Sequence, residues 1–188
     1  MKKALIVVDL QIDFCPGGAL AVPEGDRIVP VINGLIPGFE IIVYTRDWHP
    51  KNHVSFAEKP EFLDKSWPSH CVANTRGADF HPDLNFGLNV LIIDKATTPE
   101  VEAYSGFQDT NLAKTLKRLE VDTVYITGLA TDYCVKATAL DAVREGFKVF
   151  LVEDACKGVD SPPGSVKQAL AGMEKAGVRI ISVAEVKG

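Results

Sequence analysis

This chain of 188 residues lacks several features that would each have set its class. It has no basic cluster: 20 Lys and Arg stand against 25 Asp and Glu, a formal charge of −5. That balance argues against a nucleic-acid or acidic-membrane partner. It has no long apolar run. The stretch after Met1-Lys2-Lys3 ends at Asp9, too short for a signal peptide and far too short to span a bilayer. Cysteine is sparse, and Cys15, Cys71, Cys134 and Cys156 are irregularly spaced with no Cys-x-x-Cys pair. Free thiols in a reducing cytoplasm are therefore expected, and a disulfide framework is not. Repeats, low-complexity tracts and linkers are also missing, so one domain over residues 1–188 is expected. The 46% hydrophobic content allows it a full core.

The sequence does hold a repeated pairing of apolar runs with reactive side chains. Asp9 follows Ala4-Leu5-Ile6-Val7-Val8, and Asp47 follows Ile41-Ile42-Val43-Tyr44. Lys95 follows Val90-Leu91-Ile92-Ile93, and Cys134 follows Val124-Tyr125-Ile126-Thr127 and a short turn. Such runs read as buried strands of a parallel sheet, near 4–8, 40–45, 90–94, 122–127, 147–152 and 178–183. Helix-period segments alternate with most of them, over 26–36, 110–120, 132–146 and 163–176. Asp109 is the expected N-cap of the second and Thr131 of the third. The alternation predicts right-handed βαβ units and an α/β fold with helices on both faces. Ligands in such sheets bind beyond the carboxyl ends of the strands, where these four side chains would converge.

Thr131 as N-cap places Cys134 in the first helical turn. Unpaired N–H groups there favour a thiolate, which predicts a depressed thiol pKa, and the same groups would hold a developing oxyanion. The bland alternative is a small buried apolar residue. Asp9 would carry the thiol proton and return it to a leaving group. Asp13 is its rival, but lies farther from the strand end and reads better as a turn or helix cap. Lys95 would pair with Asp9, although most strand-end lysines are simply solvated.

Residues 46–89 keep no sustained period and form a long functional loop. Its aromatics argue against disorder. Asp47-Trp48-His49 sets two donors on one face of an extended segment, and His53 and His70 follow. One carboxylate and two imidazoles would suit a divalent ion: zinc first, iron or manganese as alternatives.

Taken together, the segments Asp9-x-Gln11-x-Asp13-Phe14, Thr45-Arg46-Asp47-Trp48-His49-Pro50, Trp67-Pro68-x-His70-Cys71, Lys95 with Ala103-Tyr104-Ser105-Gly106-Phe107, and Gly128-x-Ala130-Thr131-Asp132-x-Cys134 resemble those of nicotinamidases. These belong to the isochorismatase-like cysteine hydrolases. The resemblance implies a three-layer α/β/α fold around a six-stranded parallel sheet of order 3-2-1-4-5-6. It implies Asp9, Lys95 and Cys134 as the catalytic set, Asp47, His49 and His70 as metal ligands, and a cis peptide between Leu129 and Ala130. The N–H groups of Ala130 and Cys134 would then face a substrate carbonyl oxygen. Phe14, Trp67 and Tyr104 would wall an aromatic ring, and Leu20 lines the same pocket by analogy. His53 is a ligand in some members and a neighbour in others. The implied reaction converts nicotinamide and water to nicotinate and ammonia. Pyrazinamide is left open as a further substrate, and a homodimer is compatible with the sequence. A metal-free relative acting on another amide, and a non-catalytic scaffold, are the alternatives.

Overall fold

The computed structural model describes residues 2–62 and 66–187. Six parallel strands form one sheet: β1 Lys2–Val8, β2 Ile41–Asp47, β3 Val90–Lys95, β4 Val121–Leu129, β5 Lys148–Lys157 and β6 Arg179–Ile181. Their spatial order is β3-β2-β1-β4-β5-β6. The chain thus winds one way from β1 to β3 and the other way from β4 to β6, which opens a crevice beside the carboxyl end of β1.

Strand β1 shows why its run is continuously apolar. Ala4, Ile6 and Val8 pack on one face, with α2 (Leu112–Arg118), α3 (Lys136–Arg144) and α4 (Ser165–Lys175). Leu5 and Val7 pack on the other, with α1 (Val29–Asn33), α5 (Val183–Lys187) and parts of the long loop such as Cys71 and Leu84. Both faces are buried, so both residue parities are apolar. Among the described residues no helix is long and apolar enough to cross a membrane.

Two helical expectations need correction. The segment 26–36 is not one helix: a 3₁₀ turn at Gly25–Ile28, the short α1, and a second 3₁₀ turn at Ile36–Gly38 replace it. Pro30 and Pro37 each sit at the start of a new turn, where their missing N–H does no harm. Asp109 does not cap α2. It is left-handed, with φ 54°, and Asn111 occupies the cap position. The Thr110 hydroxyl accepts the Leu112 N–H instead, at 3.3 Å.

Gly128 brings β4 tight against β1. Its φ is +113°, and a Cβ there would lie 2.1 Å from the Val8 carbonyl oxygen. Only glycine lets the two central strands approach so closely, one residue before Asp9.

Candidate active site

Strands β1 and β3 each end in an abrupt change of direction, and the loop makes one at His70. Asp9, the residue after β1, is left-handed at φ 47°, and its N–H donates to the Thr45 carbonyl at 3.1 Å. Ala96, directly after Lys95, has φ 52°, and Cys71, directly after His70, has φ 45°. For residues other than glycine this region costs on the order of 1 kcal/mol. Here it sits beside three of the predicted site residues.

Lys95 ties the strand ends together. It belongs to β3, and β2 lies between β3 and β1. Its side chain therefore crosses a neighbouring strand to reach Asp9. Its Nζ lies 2.9 Å from Asp9 Oδ2, 2.5 Å from Asp47 Oδ1, 3.1 Å from the Ala103 carbonyl and 3.4 Å from Cys134 Sγ. Burial alone would favour its neutral form, but Asp47 and Asp9 outweigh that and raise its pKa well above the ordinary lysine value. The ligand-type atoms of Asp9, Asp47 and Cys134 all lie within 4.8 Å of one another, around this ammonium.

The two carboxyl groups sharing Lys95 are driven apart. Burial raises Asp9 above its usual 3.8, against the pull of Lys95 and a 2.6 Å hydrogen bond from Thr45 Oγ1. Burial also acts on Asp47, but Lys95, His49 and His70 together hold it well below the carboxylate range. Asp9 thus has the chemistry that suits a proton carrier, and Asp47 that of a lasting anion. The sequence order that does this is simple: Thr45 and Asp47 alternate on β2 and face the same side.

Cys134 lies within a π-helical turn, Thr131–Val135, at the head of α3. The expectation of Thr131 as N-cap is corrected: Ala130 holds that position, and its carbonyl accepts the N–H of Tyr133 and of Val135. The peptide between Leu129 and Ala130 is cis, as the resemblance implied. The expected depressed thiol pKa is also overturned. Burial pushes it well above 9.0; Lys95 opposes this, but Asp9 and Asp47 add to it. These surroundings favour the thiol form of Cys134.

On the other side, Asp47 Oδ2 lies 3.5 Å from His49 Nε2 and 4.0 Å from His70 Nε2. Asp47, His49 and His70 form a group whose donor atoms lie within 4.8 Å of one another. His49 is 1% exposed, yet neither of its ring nitrogens makes a hydrogen bond. Buried polar atoms are rarely left this way without a further partner. The His70 Nδ1 bonds the Pro68 carbonyl at 2.7 Å, which leaves Nε2 toward Asp47. Burial pushes its pKa down to about 4, so it is a neutral donor at neutral pH. An anionic carboxylate with two imidazoles, one of them neutral and braced from behind, fits a divalent ion.

His53 stands outside this group. Its Nδ1 meets Ser55 Oγ at 2.7 Å and its Nε2 the Val101 carbonyl at 3.0 Å, while its ring packs 4.2 Å from that of His49. It is a brace here. Asp13 is a loop clasp: it accepts the N–H of Cys71 at 2.7 Å and of Ala19 at 3.2 Å.

The thiol and the donor group share a cavity of about 210 Å³, lined by Phe14, Leu20, Trp67 and Tyr104 together with Asp47, His70, Ala130 and Cys134. All four predicted ring-wall residues are there. Trp67 Nε1 donates to Tyr104 Oη at 3.0 Å. Composition gave no hint of several others, namely Phe62, Glu102, Tyr133, Val159 and Ser161. Nor did it reveal the part played by Gln11. That buried amide accepts from the Asp47 N–H at 2.8 Å and donates to the carbonyls of Asp47 (2.8 Å) and Ala78 (2.9 Å). Its place between Asp9 and Asp13 in the first motif was the one available signal.

Fold and site together define a doubly wound α/β protein with a thiol, a carboxyl group and an amine assembled at its switch point. Residues 3–185 match the family model described as the isochorismatase domain, and the chain belongs to that family. It is 42% identical over 204 residues to the nicotinamidase of Escherichia coli (strain K12), covering 97% of this chain and 96% of that protein. It also resembles the zinc complex of the pyrazinamidase of Pyrococcus horikoshii, at TM-score 0.88 and 50% identity, covering 97% of this chain and 99% of that one. The Acinetobacter baumanii nicotinamidase and pyrazinamidase is similar at TM-score 0.94 and 44% identity, covering 98% of each chain.

Proposed function

We propose that the chain is an amidohydrolase, one hydrolase domain converting nicotinamide and water to nicotinate and ammonia through a thioester on Cys134. One observation carries this reading: a single ring-sized cavity has the thiol on one wall and the Asp47–His70 donors on another. At about 210 Å³ it falls below the roughly 300–1,000 Å³ of drug-sized sites, which suits one aromatic ring bearing a carboxamide. The chain's similarity to nicotinamidases and pyrazinamidases supports the same substrate class.

Asp9 takes the thiol proton while Lys95, 3.4 Å from the sulfur, stabilises the forming thiolate. The sulfur attacks the carboxamide carbon, and the N–H groups of Ala130 and Cys134 hold the oxyanion. The C–N bond breaks as Asp9 returns its proton to the departing ammonia. Water then attacks the thioester, with Asp9 again accepting the proton. The C–S bond breaks, nicotinate leaves, and the thiol is reformed. Asp47, His49 and His70 would hold a divalent ion, zinc in our reading. When bound, it would supply a Lewis-acid seat for the ring nitrogen. Phe14, Leu20, Trp67 and Tyr104 hold the ring and exclude water. We place the enzyme in the cytoplasm, where its four free thiols stay reduced.

The test is ammonia release from nicotinamide, before and after chelation and again after added zinc. Turnover should fall on chelation and return with zinc. A rate indifferent to the chelator would move the assignment to an amidase that works without a metal.

A further inference from the structure

We infer that Asp132 is a positioning residue that holds the far wall of the pocket against the nucleophile and so limits the size of ring the site admits. This rests on the amidohydrolase reading above.

Asp132 shares the π-helical turn with Cys134, two residues before it, and has no part in the proton transfers or the donor group. Its carboxylate is engaged by the loop that follows β5. Oδ1 accepts the Val159 N–H at 3.0 Å. Oδ2 accepts the Asp160 N–H at 3.0 Å and the Ser165 hydroxyl at 2.6 Å. The next residue adds a parallel tie, since the Tyr133 hydroxyl donates to the Ser161 carbonyl at 3.2 Å. Val159 and Ser161 line the same cavity as Cys134.

The loop is also closed on itself. Asp160 Oδ1 accepts the N–H of Gly164 at 2.9 Å and of Val166 at 3.1 Å, and Ser165 N–H donates to the Pro162 carbonyl at 3.0 Å. It therefore follows whatever anchors it, and the anchor is the nucleophile's own turn. Gly158 shows how closely the loop is pressed down: a Cβ there would lie 2.3 Å from Val166 Cγ2 and 3.1 Å from Asp132 Oδ1. The chemistry requires a carboxylate. Three donors converge on two oxygens, and an amide would turn its own donor toward one of the two backbone N–H groups.

The decisive comparison is Asp132→Asn against the unaltered chain, with nicotinamide and the fused-ring quinoline-3-carboxamide as paired substrates. The variant should raise KM for nicotinamide about tenfold, the scale of one lost charged hydrogen bond, with a smaller fall in kcat. The ratio of kcat/KM for the larger amide to that for nicotinamide should rise. Ser165→Ala, which keeps both backbone bonds, should leave that ratio nearly unchanged. An equal fall in kcat/KM for both amides, or no change, overturns the proposal. If Asp132→Asn does not fold, Tyr133→Phe keeps the ring, removes the parallel bond to Ser161 and must shift the ratio the same way; an unmoved ratio is then the refutation. If the unaltered chain releases no ammonia from nicotinamide, the functional reading itself falls. Asp132 is then judged by iodoacetamide alkylation of Cys134, which must speed up in the Asn variant, and an unchanged rate refutes its role.

Discussion

The two sides of the cavity are built from different material. Asp9 and Lys95 stand at the ends of β1 and β3, and Cys134 in the helical turn that follows β4, so backbone ladders and a hydrogen-bonded turn fix their spacing. Of the metal-type donors, Asp47 also ends a strand, but His49 and His70 belong to a long loop with little regular structure. Short backbone bridges, His49 with Val72 and Phe56 with Trp67, hold that loop together, and polar side-chain clasps add to them. Gln11 grips Asp47 and Ala78, Asp13 grips Cys71, and His53 braces Ser55 and Val101. The strand side inherits its precision from a cooperative sheet. The loop side has only isolated bridges and leans in addition on a few side chains, each of which can be removed alone.

Four substitutions would break or sharpen that contrast. Cys134→Ala should abolish ammonia release, by about 10⁴-fold or more, while zinc content by elemental analysis stays that of the unaltered protein. Asp9→Asn should cost roughly 10²–10⁴-fold in kcat, since it removes the proton carrier. The pH profile of the unaltered protein reads the same group. Asp9 must be ionised to accept the thiol proton, and burial raises its pKa above 3.8. Activity should therefore be lost, as pH falls, at a midpoint above 3.8; a midpoint at or below that value would contradict the assignment. Gln11→Ala should weaken zinc binding about 10- to 100-fold in a chelator competition, with alkylation of Cys134 little changed. Equal damage to both readouts would mean that the two sides are not separable. Asp13→Ala should cost about 2 kcal/mol in urea unfolding, for two lost bonds to a carboxylate.

The strand side was also the more legible one. Apolar runs ending in Asp9, Asp47, Lys95 and Cys134 are local patterns, and a parallel sheet converts them directly into a shared rim. The spacing of Asp47 and His49 and the clustering of histidines raised the metal reading, but the resemblance was needed to set His70 apart from His53 as the further ligand. Other features escaped because they depend on neighbours distant in sequence. The thiol pKa went the opposite way from the helix-terminus argument, since burial strips water from the sulfur and the two nearby carboxyl groups add to the rise; the degree of burial is not visible in the sequence. The left-handed backbone at Asp9, Cys71 and Ala96 is invisible because none of them is glycine. The break in the segment 26–36 is marked only by Pro30, and the apolar period that runs across it conceals the change of turn.

The pairing of β2 with β3 carries one more consequence. Arg46 lies opposite Asp94, joined at 2.5 and 3.2 Å, and Asp47 lies opposite Lys95. A slip of one residue in one direction would set Asp47 against Asp94; in the other, Arg46 against Lys95. Either way like charges meet, which disfavours pairing, and every side chain of β3 changes face. The charges that serve chemistry at the rim thus also proofread the edge strand, rejecting wrong alignments during folding before any substrate arrives.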